Sequence, residues 1–176
     1  VELCRIAGHG NIGYGRAHNL SLQLIDSDFH LILNPDVTLE EDALFLALAL
    51  MTENEQIKAL SPNATDRYGN KQYLCKNYPS LFTLLIRGLG LAVLKKLFSE
   101  RLSFYEMRDL PEDQPAEKEM LLSGCFLLVE TRALKVVNGF DERYFLYFED
   151  FDLSIRIAQL GKLVYAPEVR ITHSGG

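Results

Sequence analysis

The sequence contains few cysteines and fewer basic than acidic side chains. Its three cysteines, Cys4, Cys75 and Cys125, are widely spaced and odd in number. They therefore indicate neither a disulfide framework nor a cysteine metal site, and a reducing compartment is expected. Lysine and arginine number 18 against 24 aspartates and glutamates, a formal net charge of -6. Because nucleic-acid binders need surplus basic charge, no nucleic-acid partner is expected, whereas a small anionic ligand stays open.

Segments that target or anchor a protein are also not visible. The most apolar stretch, residues 80–102, carries Arg87, Lys95 and Lys96, and a central arginine is costly inside a bilayer. No signal-peptide core is apparent, and the sequence begins at Val1 with what reads as the interior of a domain. We therefore expect that preceding sequence has been removed. With 48% hydrophobic residues in 176, the chain is predicted to form one domain.

Strands and helices are predicted to alternate in the first half. Apolar runs predict strands at residues 1–7, 29–34 and 57–64, with a loop that opens a helix over residues 8–25. A second helix is predicted over residues 38–51, where Thr38 and Glu41 have capping-box spacing. This β-α-β-α-β order is typical of an α/β fold with a mostly parallel sheet flanked by helices.

The second half departs from that pattern. Residues 80–102 are interpreted as a core helix covering a binding site or as an element at a lipid surface. A charged, proline-bearing stretch after them predicts a mobile loop. Four elements are then predicted: a strand at residues 120–130, a helix ended by Asn138-Gly139, a helix at 152–161 and a strand pair at 162–173.

Two polar motifs lie at the ends of apolar strands. In "LILNPDV", Pro35 stops the strand and Asp36 projects beyond it, either as an ordinary turn residue or as a ligand at the sheet edge. In "RITHSGG", His173 is a surface residue unless Asp36 lies near, in which case the two could share a divalent cation. The glycine-rich "GNIGYGRAHN" is neither a Walker loop nor a dinucleotide fingerprint.

The run "YFLYFEDFDL" places three acids, Glu149, Asp150 and Asp152, in an aromatic segment. One interpretation is helix capping, with Asp152 in the first turn and paired with Arg156. The other is a general base, because the aromatics would form an apolar wall that desolvates a carboxylate and raises its pKa. A stretch this apolar is expected to lie against the core. The residues alone leave both interpretations open.

Taken in order, these motifs resemble the inverting family-2 glycosyltransferases, and within them the rhamnosyltransferase-like group. The set comprises "NIGYGRAHN", "LILNPDV", "LLSGCFLLV", "NGFDERYFLYFEDFDLSIRIAQLG" and "ITHSGG". The resemblance implies a GT-A-like fold whose first β-α-β elements are missing here. Residues 1–79 would form the nucleotide-sugar side, 80–118 an apolar helical or mobile insertion, and 119–176 the acceptor side.

The resemblance also implies roles for individual residues. Asp150 corresponds to the catalytic base, with Glu149 beside it orienting the acceptor and Gly124 giving the acceptor access to the backbone. Asp36 and His173 would hold Mg²⁺ or Mn²⁺, with Asn34 replacing the first acid of the family's Asp-x-Asp motif. The donor-binding set is Asn11, Gly13, Arg16, Asn19, Asn34 and Asp36.

The implied reaction transfers a sugar from a dTDP- or UDP-sugar to a saccharide or lipid-linked acceptor in bacterial cell-surface polysaccharide synthesis. The expected location is the cytoplasm, with peripheral contact to the inner face of the cell membrane through residues 80–102 left open. Because the nucleobase-holding elements are missing, the 176 residues alone are expected to be inactive. The alternative is a non-catalytic sugar- or nucleotide-binding module. A glycosyltransferase is expected to bring Asp36, Asp150 and His173 together in one cleft, whereas acids that serve only as helix caps in a binding module have no reason to converge.

Overall fold

The computed structural model describes residues 5–24 and 26–175, which form a mixed α/β fold. In chain order its elements are α1 Tyr14–Leu22, β1 Phe29–Leu33, β2 Val37–Leu39, α2 Ala43–Glu53, β3 Ile57–Thr65, β4 Lys71–Gln72, β5 Cys75–Lys76, α3 Leu81–Leu89, α4 Ala92–Leu97, α5 Ser99–Tyr105, β6 Ala116–Glu117, β7 Leu121–Leu122, β8 Phe126–Glu130, α6 Thr131–Val136, α7 Glu149–Ala158 and β9 Lys162–His173. The predicted strand at residues 1–7 falls partly outside the described residues, and residues 5–7 are not in a strand.

The central layer is a mixed sheet, with seven strands in the described part of the chain. Its main path is β1-β8-β3-β9-β2, while β4 pairs with β3 and β6 pairs with β9. Across residues 5–24 and 26–175, β3 and β9 are the one parallel pair, and the other ladders are antiparallel. The prediction of a mostly parallel sheet is therefore wrong for these residues.

The position of strand β8 explains why the sheet is mixed and not mostly parallel. β1 and β3 run in the same direction, as a β-α-β order requires, because each is antiparallel to β8. β8 comes from the second half of the chain and lies between them, so one predicted parallel contact is replaced by two antiparallel ladders. Local sequence pattern does not indicate which later strand will be inserted.

The core lies on both faces of the sheet. In β3, Ala59 belongs to the hydrophobic cluster that includes Leu153 and Ile157 of α7. The next residue, Leu60, belongs to the cluster on the opposite face, which includes Ala47 of α2. Successive strand side chains point to opposite faces, so burial on both sides explains the continuous apolar character of β3. The predicted strand β3 is confirmed, and helices are found near both predicted places, α2 at Ala43–Glu53 in place of 38–51 and α7 at Glu149–Ala158 in place of 152–161.

The predicted capping box at Thr38 and Glu41 is wrong. Thr38 lies in β2, opposite Thr172 of β9, so its backbone belongs to a strand ladder and not to a helix start. Helix α2 begins at Ala43, and the Asp42 side chain makes no cap hydrogen bond. Pairing with β9 has overridden the local capping signal. The pairing of β2 with β9 also places Asp36, just before β2, next to His173 at the end of β9.

Two further elements differ in detail from their predictions. The strand expected over residues 120–130 is two strands, β7 and β8, separated by a turn that contains Gly124. The strand pair expected around Pro167 is one strand, β9, whose register against β3 shifts between Ala166 and Arg170. The stretch 80–102 forms the short helices α3 and α4 and most of α5. None of the described helices has both the length and the apolarity to cross a membrane.

Candidate active site

Asp150 lies in the first turn of α7, where backbone groups hold its carboxylate. Its Oδ2 accepts a hydrogen bond from Gly124 N at 3.0 Å, and its Oδ1 accepts one from Phe151 N at 2.9 Å. Burial raises the pKa of Asp150, and the two backbone N–H groups oppose that shift. The result is an oriented, partly desolvated carboxylate, which is the kind of group that can accept a proton from an incoming hydroxyl.

Tyr14 connects this carboxylate to the "NPD" motif. Its hydroxyl donates to Gly124 O at 2.7 Å and lies 3.3 Å from Asn34 Oδ1. Gly124 therefore contacts Asp150 through its N–H and Tyr14 through its carbonyl. A Cβ built on Gly124 would lie 3.2 Å from the Tyr14 hydroxyl, so only glycine fits here without displacing a neighbour. Tyr14 was not among the predicted site residues, and the sequence feature that could have indicated it is its position between Gly13 and Gly15 in "GYG".

Asp36 and His173 meet at the other end of the site. Asp36 Oδ2 lies 3.5 Å from His173 Nε2, because β2 and β9 are paired beside them. The Gln72 amide nitrogen donates to the carbonyls of His173 and Gly175, which leaves Gln72 Oε1 to accept from His173 Nδ1 at 2.8 Å. With the Nδ1 proton fixed there, a neutral His173 turns the Nε2 lone pair toward Asp36.

This arrangement suits a divalent cation. A carboxylate oxygen and an imidazole lone pair that face each other need a proton or a metal between them. In the described part of the chain, no group of three or more His, Cys, Asp or Glu side chains could hold a metal. Asp36 and His173 would supply one carboxylate oxygen and one imidazole nitrogen, and substrate phosphates and water would complete the coordination. Because Mg²⁺ prefers oxygen ligands, this donor set fits Mn²⁺ better than Mg²⁺.

The two ends of the site meet at Cys125. Asn34 N donates to Cys125 O at 2.9 Å. Burial, and then the nearby carboxylates of Asp36 and Asp150, raise the pKa of Cys125 to about 12. The turn between β7 and β8 thus contacts both motifs, since Gly124 N donates to Asp150 and Cys125 O accepts from Asn34, two residues before Asp36. The cavity that Asp150 lines does not include Asp36 or His173, so one cleft that holds all three residues stays a prediction.

Glu149 is a buried carboxylate with an unsatisfied oxygen. Its side chain is 5% exposed, and Oε2 has no hydrogen-bond partner among the described residues. Burial and then the charge of Asp150 raise the pKa of Glu149. The N-cap of α7 is Phe148, which makes no side-chain cap hydrogen bond, and the first-turn N–H of Phe151 is instead bonded by Asp150, not by Glu149. Glu149 is therefore a buried acceptor without a structural partner, an arrangement usually associated with a functional site.

The expectation that the aromatic run lies against the core is wrong. Phe145, Leu146, Tyr147 and Phe148 are all exposed, Tyr147 at 72%. Tyr147 and Phe148 adopt left-handed backbone conformations, with φ of 68° and 66°. Such conformations cost non-glycine residues about 1 kcal/mol or more each and are frequent near functional sites. The two side chains line a cavity beside Asp150 and do not pack under the sheet.

That cavity has a volume of about 1250 Å³. One wall is formed by Glu149, Asp150 and the aromatic residues around them, and the facing wall by α3, α4 and α5. Residues 80–102 thus line this space, but as short helices with mostly exposed apolar side chains and not as the predicted core helix. The acid that could act as a base therefore faces a space large enough for a sugar ring and the groups attached to it.

Of the remaining predicted donor-binding residues, Arg16 and Asn19 contact the loop before α7. Asn19 donates to Phe140 O and accepts from Phe140 N, and Arg16 donates to Glu142 O at 3.1 Å. Asn11 Oδ1 accepts from Gly13 N at 3.2 Å, within the loop that precedes α1. The structure does not bring these side chains together with Asp36, and their donor-binding assignment stays a prediction.

Comparison with curated proteins places these observations in context. The sequence is 32% identical over 178 residues to N-acetylglucosaminyl-diphospho-decaprenol L-rhamnosyltransferase of Mycobacterium tuberculosis, an alignment that covers 93% of this chain and 56% of that protein. It is 27% identical over 173 residues to Rhamnosyltransferase WbbL of Escherichia coli, covering 93% of this chain and 61% of that protein. The chain thus spans little more than half the length of these relatives. No protein-family model matches the sequence.

Proposed function

The chain is related to rhamnosyltransferases, as its motifs predicted, and from this premise we propose that the full-length protein is an inverting glycosyltransferase. It transfers a sugar, in our proposal rhamnose, from a nucleoside-diphosphate donor to a lipid-linked saccharide during cell-surface polysaccharide synthesis. The observation that carries the proposal is that the Gly124-Cys125 turn is bonded to both acidic motifs, through Gly124 N to Asp150 and through Cys125 O to Asn34, while His173 lies beside Asp36. We further propose that the mixed α/β fold is GT-A-like.

Asp150 is the base in this proposal. In-line displacement at the anomeric carbon requires a carboxylate that removes the acceptor proton as the acceptor oxygen attacks. Gly124 N and Phe151 N fix both oxygens of Asp150, so the carboxylate is held ready and needs no rearrangement. Glu149 beside it lines the same cavity, and in this proposal its carboxylate accepts a hydrogen bond from a second acceptor hydroxyl.

Asn34, Asp36 and His173 form the donor side. Asp36 and His173 would hold Mg²⁺ or Mn²⁺, which when bound supplies positive charge against the leaving diphosphate. Gln72 orients His173 through Nδ1, in the manner typical of the outer partners of metal-bound histidines. The Asn34 side chain, held beside Tyr14, links this side to the Gly124 turn.

The first experiment measures nucleoside diphosphate release by the full-length protein. The donors are dTDP-rhamnose and a panel of dTDP- and UDP-sugars, each with Mg²⁺, Mn²⁺ or chelator, and the acceptor is a polyprenyl-diphospho-N-acetylglucosamine. We expect turnover of dTDP-rhamnose that requires acceptor and metal, with an inverted anomeric configuration of the product by NMR. A retained configuration would contradict the single-displacement mechanism. Donor binding without turnover of any donor would favour a non-catalytic binding module instead.

A further inference from the structure

A cluster of basic side chains lines the cavity opposite Asp150. Lys76 of β5, Arg87 of α3 and Arg108 after α5 come together around the carboxylate of Glu106. Arg87 Nη1 lies 3.0 Å from Glu106 Oε1, and Arg108 Nη2 lies 2.6 Å from Glu106 Oε2. One carboxylate thus anchors two guanidinium groups, and each of them keeps N–H donors that point elsewhere.

Aromatic rings fix the positions of the same cations. Lys76 Nζ and the Arg87 guanidinium lie 5.6 and 5.3 Å from the centre of the Tyr105 ring. The Arg108 guanidinium lies 5.1 Å from the centre of the Tyr73 ring. Cation–π contacts of this length stabilise a positive charge without neutralising it. The rings therefore add to the anchoring by Glu106 without removing further positive charge from the cluster.

The cavity is positively charged although the chain is not. Five cations line it, against three acids, Glu106, Glu149 and Asp150. The surplus of two positive charges contrasts with the formal charge of -6 for the whole chain. The cations are Lys76, Arg87, Lys95, Lys96 and Arg108. A local reversal of charge in a concave site indicates an anionic ligand with about two charges.

We infer that this basic cluster, Lys76, Arg87 and Arg108 with Lys95 and Lys96 at its edge, binds the diphosphate group of a lipid-linked acceptor. The inference rests on the proposed function and gives the acceptor its binding site. Arginine forks and lysine ammonium groups are the usual partners of phosphate oxygens. A diphosphate diester carries two negative charges, which matches the surplus in the cavity.

The position of the cluster favours the acceptor diphosphate over the donor diphosphate. The cavity wall includes Asp150 and Glu149 but none of Asn34, Asp36 and His173, the proposed donor side. Tyr105 lines the same cavity and its ring centre lies 5.3 Å from the Arg87 guanidinium, so the base and the basic cluster face one space. An acceptor sugar joined to its diphosphate would occupy that space, with the sugar toward Asp150 and the diphosphate toward the cluster.

Exposed apolar side chains continue from the cluster along α3 and α4. Leu84 and Gly88 of α3 line the cavity, while Leu85 and Leu89 on the same helix are 56% and 52% exposed. Further exposed apolar residues of the two helices are Leu81, Val93 and Leu97. Large apolar patches beside a charged pocket mark interaction surfaces. A polyprenyl chain attached to the diphosphate would find this apolar surface directly outside the cavity.

Binding of the full-length protein to lipid vesicles tests the inference without turnover, so its outcome is independent of the transferase assay. Three vesicle types are compared by co-sedimentation: phosphatidylcholine alone, phosphatidylcholine with polyprenyl diphosphate, and phosphatidylcholine with phosphatidylglycerol at matched charge. We expect preferential binding to the polyprenyl diphosphate vesicles. Arg87→Gln and Arg108→Gln should each weaken that preference about tenfold, the loss expected for a charge-assisted hydrogen bond.

Two variants make the comparison specific. Arg67→Gln removes an exposed arginine away from the cavity and should leave the preference unchanged. Glu106→Gln removes the negative charge that shares the guanidinium donors and should strengthen diphosphate binding, whereas cations that serve only as ion-pair partners of Glu106 would show no such gain. Equal binding to the phosphatidylglycerol vesicles, or no binding to any vesicle, would overturn the inference.

Discussion

At the scale of single residues, the central group is the pair Glu149–Asp150. Burial raises the pKa of both carboxyl groups, and the charge of Asp150 adds to the shift of Glu149. Two backbone N–H groups stabilise ionised Asp150, whereas one oxygen of Glu149 has no partner among the described residues. Adjacent carboxylates with different environments are a common way to separate a base from a positioning group.

This pair predicts the acidic limb of the pH–rate profile. A base works only when ionised, so kcat/KM should fall as pH decreases through the pKa of the group. Because the folded-state pKa of Asp150 is raised above its ordinary value of 3.8, the fall should occur at higher pH than for an exposed aspartate. Because Glu149 and Asp150 interact, the midpoint of this fall in kcat/KM reports the two carboxyl groups together and not Asp150 alone. A profile that stays flat down to pH 4 would contradict Asp150 as the base.

Glu149→Gln is predicted to stabilise the fold at neutral pH. A carboxyl whose folded pKa is raised destabilises the folded state once ionised, and that penalty disappears as pH falls below the unfolded value of 4.5. The variant should therefore gain about 1 kcal/mol in free energy of unfolding at pH 7, the scale of an unsatisfied buried acceptor, and lose the gain at acidic pH. Urea denaturation of wild type and variant at pH 7 and at a pH below 4.5 measures both free energies of unfolding. The same stability difference at both pH values would contradict a raised pKa of Glu149.

Tyr14→Phe tests the link between the two sides of the site. The substitution removes the hydroxyl that donates to Gly124 O and leaves that carbonyl without this partner. We expect a loss of about 1 kcal/mol in free energy of unfolding and a reduced kcat, because the Gly124 turn also donates to Asp150. Tyr68→Phe, at a residue 79% exposed, is the matched control. Identical stability and kcat for the two variants would show that the link is unimportant.

At the scale of secondary-structure elements, Arg156 fastens α7 to the end of α6. Its guanidinium donates to Val137 O at 2.7 Å and Gly139 O at 2.8 Å, and it pairs with Asp152 one turn earlier. The predicted Asp152–Arg156 pair is confirmed, and the structure adds the two carbonyls. These contacts hold the loop that leads to the acidic pair.

Arg156→Met is therefore predicted to destabilise the protein. Three accepting groups lose their partner, so we expect a decrease of about 2 kcal/mol in the free energy of unfolding, measured by chemical denaturation. Arg132→Met, at an exposed position on α6, should change stability little. A decrease of the same size in both variants would mean that the contacts of Arg156 with Val137, Gly139 and Asp152 contribute nothing specific to stability.

The elements differ in how well the sequence predicts them. β1, α2, β3 and α7 follow from apolar period and length, because each buries one or both faces in the core. The helix start at Thr38 was wrong because β9 pairs with that segment, and the parallel sheet was wrong because β8 lies between β1 and β3. Both errors come from contacts distant in sequence, which local patterns do not contain.

At the scale of the whole molecule, the site is assembled from four distant segments. Asn34 and Asp150 are both bonded to the Gly124-Cys125 turn, and His173 lies beside Asp36. The motifs and their resemblance predict these residues because each lies in a recognisable polar motif, and their roles stay predictions. The basic cluster was not predicted, since Lys76, Arg87 and Arg108 share no motif and come together only through the packing of α3–α5.

The most direct test of the central claim compares three forms of the full-length protein: wild type, Asp150→Asn and Asp152→Asn. Donor binding is measured by calorimetry, and turnover with acceptor and metal by nucleoside diphosphate release. We predict that Asp150→Asn binds donor like wild type but loses about a hundredfold or more in kcat. Asp152→Asn, which loses only the pairing with Arg156, should keep its turnover. Full activity of Asp150→Asn would contradict the account, because the carboxylate would then be structural.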